Sequence, residues 1–197
     1  MDSNPSFSLS EYLPNVLLIT GSGRERGKTM LACNIISRWK ENHDIIAIKI
    51  STHIHEHPRS VNLIHRSDGY AIWEEKAMSP KDSGRFLEAG AVKAFYIETS
   101  DHELVKAFRF ICGLCSEKSL IICESGGLGR SISPGVMLFV QHVDDIVGTV
   151  KETLRNLSHR IVYSSSPELS DPSLIIKITD HRWKLVTREQ PIPSSSH

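Results

Sequence analysis

The sequence predicts an α/β fold in three layers, with a mostly parallel central sheet, helices on both of its faces and a small C-terminal hairpin. Two observations carry this prediction. The apolar run 16–19 has no polar alternation, which is typical of a strand buried on both faces of a parallel sheet. A helical pattern and a second apolar run, 44–50, follow it, and strand, helix and strand in this order form a right-handed βαβ unit.

The first helix and the loop before it contain the most informative pattern in the chain. Leu31, Ile35 and Trp39 recur every four positions and so share one helix face. The loop, residues 21–29, reads GSGRERGKT, with the spacing G-x5-G-K-T. A glycine-containing loop between a strand and a helix N-terminus points several backbone N–H groups at one spot, where the helix dipole adds partial positive charge. That spot suits a phosphate group.

The loop is therefore predicted to be a P-loop in a three-layer P-loop NTPase fold, binding GTP or ATP with Mg²⁺. Lys28 is expected to reach the β- and γ-phosphate oxygens, and the Thr29 hydroxyl to ligate the magnesium ion. Ser22 stands where the usual spacing has a glycine. Arg24 and Arg26 contact phosphate, reach across a dimer interface or are simply solvated. The predicted nucleotide-binding residues are Gly21, Ser22, Gly23, Arg24, Glu25, Arg26, Gly27, Lys28, Thr29 and Met30.

Composition and charge limit the partners that we expect. Lysine and arginine number 23, as do aspartate and glutamate, so no global basic field collects nucleic acid or anionic membrane. The first 14 residues lack both the basic start and the apolar segment of a secretion signal. We expect a cytoplasmic protein with no membrane partner. Its 197 residues are predicted to form a flexible arm (1–14), one nucleotide-binding domain (15–187) and a disordered tail (188–197).

Three histidines at alternating positions, His53, His55 and His57, follow the second strand. They either hold a transition metal or belong to a polar loop at the carboxyl end of a strand, where ligands of open α/β sheets bind. Periodicity and turn residues predict the elements beyond them: strands at 69–75, 94–97, 120–123, 136–140 and 161–163, helices at 82–89, 102–115 and 150–157, and a final hairpin of 174–178 with 183–186.

Two acidic residues are candidates for the magnesium site. Glu124 follows the strand 120–123, and a carboxylate at the carboxyl end of a strand in a P-loop fold holds Mg²⁺ directly or through water. Asp82 is the other candidate. The alternatives are a solvated loop position for Glu124 and a helix N-cap for Asp82. The predicted catalytic residues are Lys28, Glu124 and Asp82, and the predicted metal ligands are Thr29 and Glu124.

Several stretches together resemble a known family. The P-loop, the strand ending in Lys49 with its histidine-rich loop, and the sequence SPKDSGRFLEAGA at 79–91 are similar to the molybdopterin-guanine dinucleotide biosynthesis adaptor protein B family, over residues 15–140. The resemblance implies a GTP-binding homodimer that works beside the guanylyltransferase of molybdenum cofactor synthesis or another molybdopterin-handling partner. The candidates for its substrate loops are His53, His55, His57, Lys81, Ser83 and Arg85.

Three functions are compatible with these patterns. The first is a magnesium-dependent P-loop protein with weak GTPase or ATPase activity and the adaptor role just described. The second is an ATP-dependent ligase or kinase acting on a small metabolite, because the G-x5-G-K-T loop resembles those of dethiobiotin synthetase and the cobyrinic acid amidases. The third is a non-catalytic partner-binding module ordered by nucleotide, since no serine or cysteine nucleophile stands beside an evident base.

Overall fold

The computed structural model describes residues 11–52, 61–77, 82–116 and 118–186. Single turns of 3₁₀ helix lie at Leu128–Arg130 and Pro172–Leu174. None of the helices in these ranges is long and apolar enough to cross a membrane. The helices and strands, in chain order, are β1 (Tyr12–Gly21), α1 (Lys28–Trp39), β2 (Ile45–Ser51), β3 (Val61–Ser67), β4 (Tyr70–Glu75), α2 (Asp82–Ala89), β5 (Lys93–Thr99), α3 (Leu104–Leu114), β6 (Leu120–Ser125), β7 (Ser133–Gln141), α4 (Thr149–Leu157), β8 (Arg160–Tyr163), α5 (Pro167–Ser170), β9 (Ile176–Thr179) and β10 (Arg182–Leu185).

An eight-stranded sheet in the order β3-β4-β5-β2-β6-β1-β7-β8 forms the centre of the molecule. The six neighbouring strands β5, β2, β6, β1, β7 and β8 are parallel to one another. β4 pairs antiparallel with both β5 and β3. The predicted α/β fold with a mostly parallel sheet is thereby confirmed. β1 lies between β6 and β7. The chain passes from β1 toward β2 on one side of the sheet and from β7 toward β8 on the other, so the strand order reverses at β1. Open α/β sheets form a ligand crevice at such a reversal.

Helices cover both faces of the sheet, as predicted. On one face, the α1 face, the strand residues Leu17 and Ile19 pack with α1 and α2. On the other, the α4 face, Val16 and Leu18 pack with α3 and α4. Successive residues of β1 alternate between these two fully buried layers, because side chains of a strand alternate between its faces. This alternation explains why the run 16–19 is apolar at every position.

The structure adds two elements that were not predicted, the edge strand β3 and the short helix α5, and it extends β1. β3 was not predicted, because its sequence VNLIHRS has no regular alternation of polar and apolar residues. The strand lies at an edge of the sheet, residues 62–67 are at least partly exposed, and its pairing with β4 shifts register between Leu63 and His65. β1 begins at Tyr12, inside the segment predicted as a flexible arm, because Tyr12 and Leu13 pair with Ser133 and Pro134 of β7. The predicted ends of the other strands differ from the observed ends by a few residues.

The predicted C-terminal hairpin is present as β9 and β10. Asp180 and His181 connect the two strands with positive φ angles of 51° and 55°, the combination that matches the right-handed twist of a hairpin. Trp183 on β10 is fully buried, and its ring meets that of Trp39 edge to face, with centroids 6.0 Å apart. The hairpin is therefore part of the core on the α1 face.

We predict that Trp183→Ala lowers the free energy of unfolding by about 3–5 kcal/mol, because it removes a large buried ring and leaves a cavity beside α1. Urea denaturation measures the change. Lys184→Ala, at the exposed neighbouring position of the same strand, is the control and is expected to change stability by less than about 0.5 kcal/mol. A loss of stability in Trp183→Ala as small as that in Lys184→Ala would contradict the burial of Trp183 in the core.

Candidate functional site

The loop of residues 21–29, which the sequence predicts to be a P-loop and which keeps that name below, leaves the carboxyl end of β1 and enters α1. A side chain at Gly21 would collide with the carbonyl oxygen of Val140 on β7, so only glycine fits there. The backbone N–H of Ser22 donates a 3.1 Å hydrogen bond to the same oxygen. Gly27, the last residue before α1, has φ of 95°, which favours glycine. Two of the three glycines in the loop are thus required by its backbone path.

The amino end of α1 has no cap from its own sequence. Gly27 at the N-cap position offers no side-chain acceptor, and the first turn contains no acidic residue. The first backbone N–H groups of a helix have no partner within the helix, and they give this end a partial positive charge. At the amino end of α1 no side chain accepts hydrogen bonds from these N–H groups or balances the positive charge. An anion bound at this position would do both.

The two P-loop residues with predicted chemical roles both make contacts at this end of α1. The Lys28 ammonium donates a hydrogen bond to the carbonyl oxygen of Gly23, so the side chain lies back along its own loop. The Thr29 hydroxyl donates a 2.8 Å hydrogen bond to Oε2 of Glu124. Thr29 and Glu124, the two predicted magnesium ligands, are thereby in direct contact although 95 positions separate them.

Glu124 lies at the carboxyl end of β6, between β1 and β2. It pairs in register with Ile19 on one side and Lys49 on the other. Only 3% of its side chain is exposed, and its Oε1 forms an ion pair with the Lys49 ammonium, which is 18% exposed. A buried carboxylate requires a cation and hydrogen-bond donors, and here Lys49 and Thr29 supply them. Glu124 is therefore part of the buried site and not a solvated loop residue.

Asp145, in the loop after β7, holds the first half of the P-loop. Its Oδ2 accepts hydrogen bonds from the Ser22 hydroxyl and, at 2.8 Å, from the His142 backbone N–H. Its Oδ1 lies 3.0 Å from Nε of Arg26. The Ser22 hydrogen bond, followed by the His142 N–H and the charge of Arg26, lowers the pKa of Asp145. Arg26 is thus paired within the chain in this structure.

The remaining predicted residues lie elsewhere or outside the described part of the chain. Arg24 and Glu25 are exposed on the P-loop, and Met30 is exposed on the first turn of α1. The Ser83 hydroxyl bonds to Glu75 at the end of β4, which ties it to the sheet edge rather than to the P-loop. The carbonyl of Arg85 contacts Cys33 of α1. Asp82 begins α2. Its side chain lies outside the described residues, as do Lys81, His53, His55 and His57.

The residues beside the P-loop fit Mg²⁺ by their chemistry. Mg²⁺ prefers oxygen ligands and keeps several waters, so one hydroxyl and one carboxylate next to nucleotide phosphates are a sufficient protein contribution. Thr29 and Glu124 present these oxygens side by side. Within the described ranges, no three histidine, cysteine, aspartate or glutamate side chains are grouped closely enough to hold a metal ion on their own.

A groove of about 270 Å³ lies at the amino ends of β2 and β5, at the end of the sheet away from the P-loop. Asp44, Phe95 and Cys115 are among its lining residues. Burial raises the pKa of the Cys115 thiol, and burial together with Cys115 raises that of Cys112 to about 12. Protonated thiols are weak metal ligands and weak nucleophiles, so this pair adds no chemistry to the groove.

Two site residues, Lys49 and Asp145, were not predicted as such. A lysine within the apolar run IIAIKI was a signal for Lys49, because a buried strand admits a cation only beside an acidic partner. Asp145 gave no signal, since it reaches Ser22 across 123 positions of sequence. Comparison of the chain with protein-family models, with curated proteins and with solved structures finds no match. The site must therefore be interpreted from its own geometry.

We predict that Lys49→Met lowers the free energy of unfolding by about 3 kcal/mol, because it leaves the Glu124 carboxylate buried without its cation. The double variant Lys49→Met with Glu124→Gln is expected to lose less than the sum of the single changes in urea denaturation. Lys93→Met is the control, since the Lys93 and Glu74 charges are 3.8 Å apart at the surface. Additive single effects would contradict the coupling.

We also predict that Ser22→Ala raises the pKa of Asp145 toward its ordinary value, because it removes the largest cause of the lowering. A lowered folded-state pKa stabilises the protein above the unfolded-chain pKa, and this contribution is lost as pH falls through the folded-state pKa. Ser22→Ala should therefore reduce the acid-side loss of stability. Carboxyl-carbon NMR titration measures the pKa. The exposed Ser165→Ala is the control, and an equal pKa in both variants would contradict the assignment.

Proposed function

We propose that this chain is a magnesium-dependent P-loop nucleotide-binding protein with weak NTPase activity. The observation that carries the proposal is the contact between Thr29 and Glu124 at the uncapped amino end of α1. A hydroxyl on the first helical turn after the P-loop lysine, beside a carboxylate at the end of the neighbouring strand, is the protein part of a magnesium–triphosphate site.

The triphosphate would lie over the P-loop, where the N–H groups of the first turn of α1 point. Lys28 would exchange the Gly23 carbonyl for the β- and γ-phosphate oxygens, which are stronger acceptors for an ammonium group. Arg26 lies in the same loop and is held by Asp145, so a phosphate would compete with that carboxylate for it. The loop thus offers two cations and a helix end to one anionic ligand.

Hydrolysis would depend on how these groups hold the γ-phosphate. Bound Mg²⁺ would draw negative charge from the β- and γ-phosphate oxygens. Thr29 and Glu124 would hold that ion, directly or through water, and Lys28 would stabilise charge that develops as the terminal bond breaks. Lys49 keeps the Glu124 carboxylate in position from the opposite side. The groups named here would hold the phosphates and Mg²⁺, and none of them is assigned as a general base for the attacking water, which favours slow turnover.

Guanine preference and an adaptor role in molybdenum cofactor guanylation form the finer part of the proposal. They rest on the resemblance of the P-loop and of residues 79–91 to the adaptor protein B family. A homodimer and a guanylyltransferase partner belong to the same proposal. Binding of a guanylyltransferase only in the presence of GTP and Mg²⁺ would support it, and adenine preference would contradict it.

We predict that Lys28→Ala weakens binding of non-hydrolysable GTP and ATP analogues by about tenfold or more, because it removes a charge-assisted contact to the phosphates. Calorimetric titration with Mg²⁺ and then with a chelator measures this. Thr29→Ala should retain nucleotide binding but lose most of the gain that Mg²⁺ gives. The exposed Lys177→Ala is the control. Unchanged affinity in Lys28→Ala would contradict nucleotide binding at this loop.

A further inference from the structure

A second cluster of cations lies beside the P-loop, on the other face of the sheet. Gly126 and Gly127 follow directly after Ser125, the last residue of β6. The ammonium of Lys151 donates a 3.1 Å hydrogen bond to the Gly126 carbonyl oxygen. A side-chain carbon at Gly126 would lie 3.3 Å from this ammonium, and one at Gly127 would lie 3.4 Å from Nη2 of Arg130. Two cations therefore lie over two successive glycines.

Unlike several other cations of the described residues, these two have no acidic partner among those residues. Lys49 pairs with Glu124, Arg26 with Asp145 and Arg160 with Glu168. Within the described ranges, no ion pair involves Arg130 or Lys151. Burial and the charge of Arg130 lower the pKa of Lys151, so the two positive charges are held together at a free-energy cost. An anion between them would remove that cost.

The position of the pair favours a ligand other than the nucleotide. Thr29 and Glu124 meet under α1, on the α1 face of the sheet. Lys151 belongs to α4, whose Leu154 packs on the α4 face. Both groups lie at the carboxyl edge, where β6 continues from Glu124 into the glycine turn. An anion held by Arg130 and Lys151 would therefore approach the end of β6 from the side opposite to the P-loop helix.

We propose that Arg130, Lys151 and the Gly126–Gly127 turn form a subsite for the oxyanion group, a phosphate or a carboxylate, of a second small-molecule substrate. Glycine at both positions lets such a group approach the backbone closely. The proposal rests on nucleotide binding at the P-loop and adds an acceptor to it. It thereby favours the ligase or kinase function over simple hydrolysis.

The test uses inorganic phosphate and malonate as probes, in the Lys28→Ala background, so that the P-loop itself contributes little. Amide chemical shifts of Gly126 and Gly127 in NMR titrations report binding at the turn. We expect a saturable response to at least one probe. We also expect Arg130→Gln and Lys151→Met each to weaken it by about tenfold, the loss of one charge-assisted contact. The exposed Lys177→Met is the matched control and should bind as the parent does.

Three results would overturn the subsite. They are the absence of any response to either probe, an affinity of the Arg130→Gln and Lys151→Met variants equal to that of the parent, and displacement of the probe in the wild-type protein by a saturating Mg²⁺–GTP or Mg²⁺–ATP analogue. The last result would assign the two cations to the nucleotide's own phosphates. The titrations with phosphate and malonate contain no nucleotide, so they test the subsite even if the protein binds no nucleotide. A failure of the subsite can therefore be distinguished from a failure of nucleotide binding.

Discussion

The buried carboxylate of Glu124 constrains the centre of this structure more than any other group. A carboxylate that is 3% exposed is stable only when cations and donors surround it, so Lys49 on β2 and Thr29 on α1 must both reach it. That requirement fixes the register of β6 against β2 and the position at which α1 begins. The P-loop, which joins β1 to α1, is held in place by the same contact. Stability and the proposed chemistry thus depend on one side chain.

Three of the cations around the P-loop already have partners within the chain. Lys28 bonds to Gly23, Arg26 to Asp145 and Lys49 to Glu124. In the proposed complex, nucleotide and Mg²⁺ would replace the first two partners and share Glu124 with the third. Binding would then be an exchange of partners, and its net free energy is smaller than the sum of the new contacts. In the proposed complex, this exchange would make nucleotide binding depend strongly on Mg²⁺.

The sequence predicted those features that local patterns or general chemistry determine. β1, α1 and a glycine-containing loop between them were predicted because apolar periodicity and glycine spacing are contained within 25 residues. Glu124 was named as a candidate because a carboxylate at a strand end has a known use in P-loop folds, and the structure places it in contact with Thr29. Lys49 and Asp145 were missed as site residues because their roles arise from strand order and loop packing, which place residues 75 and 123 positions away beside them. Edge strand β3 lacked a period because a register shift between Leu63 and His65 interrupts its pairing with β4, and residues 62–67 are all at least partly exposed.

Alternate residues of β6 face opposite sides of the sheet, and this alternation decides which side chains at the carboxyl end of β6 lie on which face. Leu120 and Ile122 face α1, and Ile121 and Cys123 face α4. Continuing this alternation assigns Glu124 to the side of Thr29. It assigns Ser125, whose hydroxyl accepts hydrogen bonds from the N–H groups of Gly127 and Leu128, to the side of the glycine turn. A slip of one residue would exchange the two sides and bury the carboxylate away from Lys49. The apolar run before Glu124 is buried on both faces and would tolerate either alignment, so the contacts of Glu124 with Lys49 and Thr29 set the register. In the two proposals, that register also sets the face on which a magnesium ion or a second anion would bind.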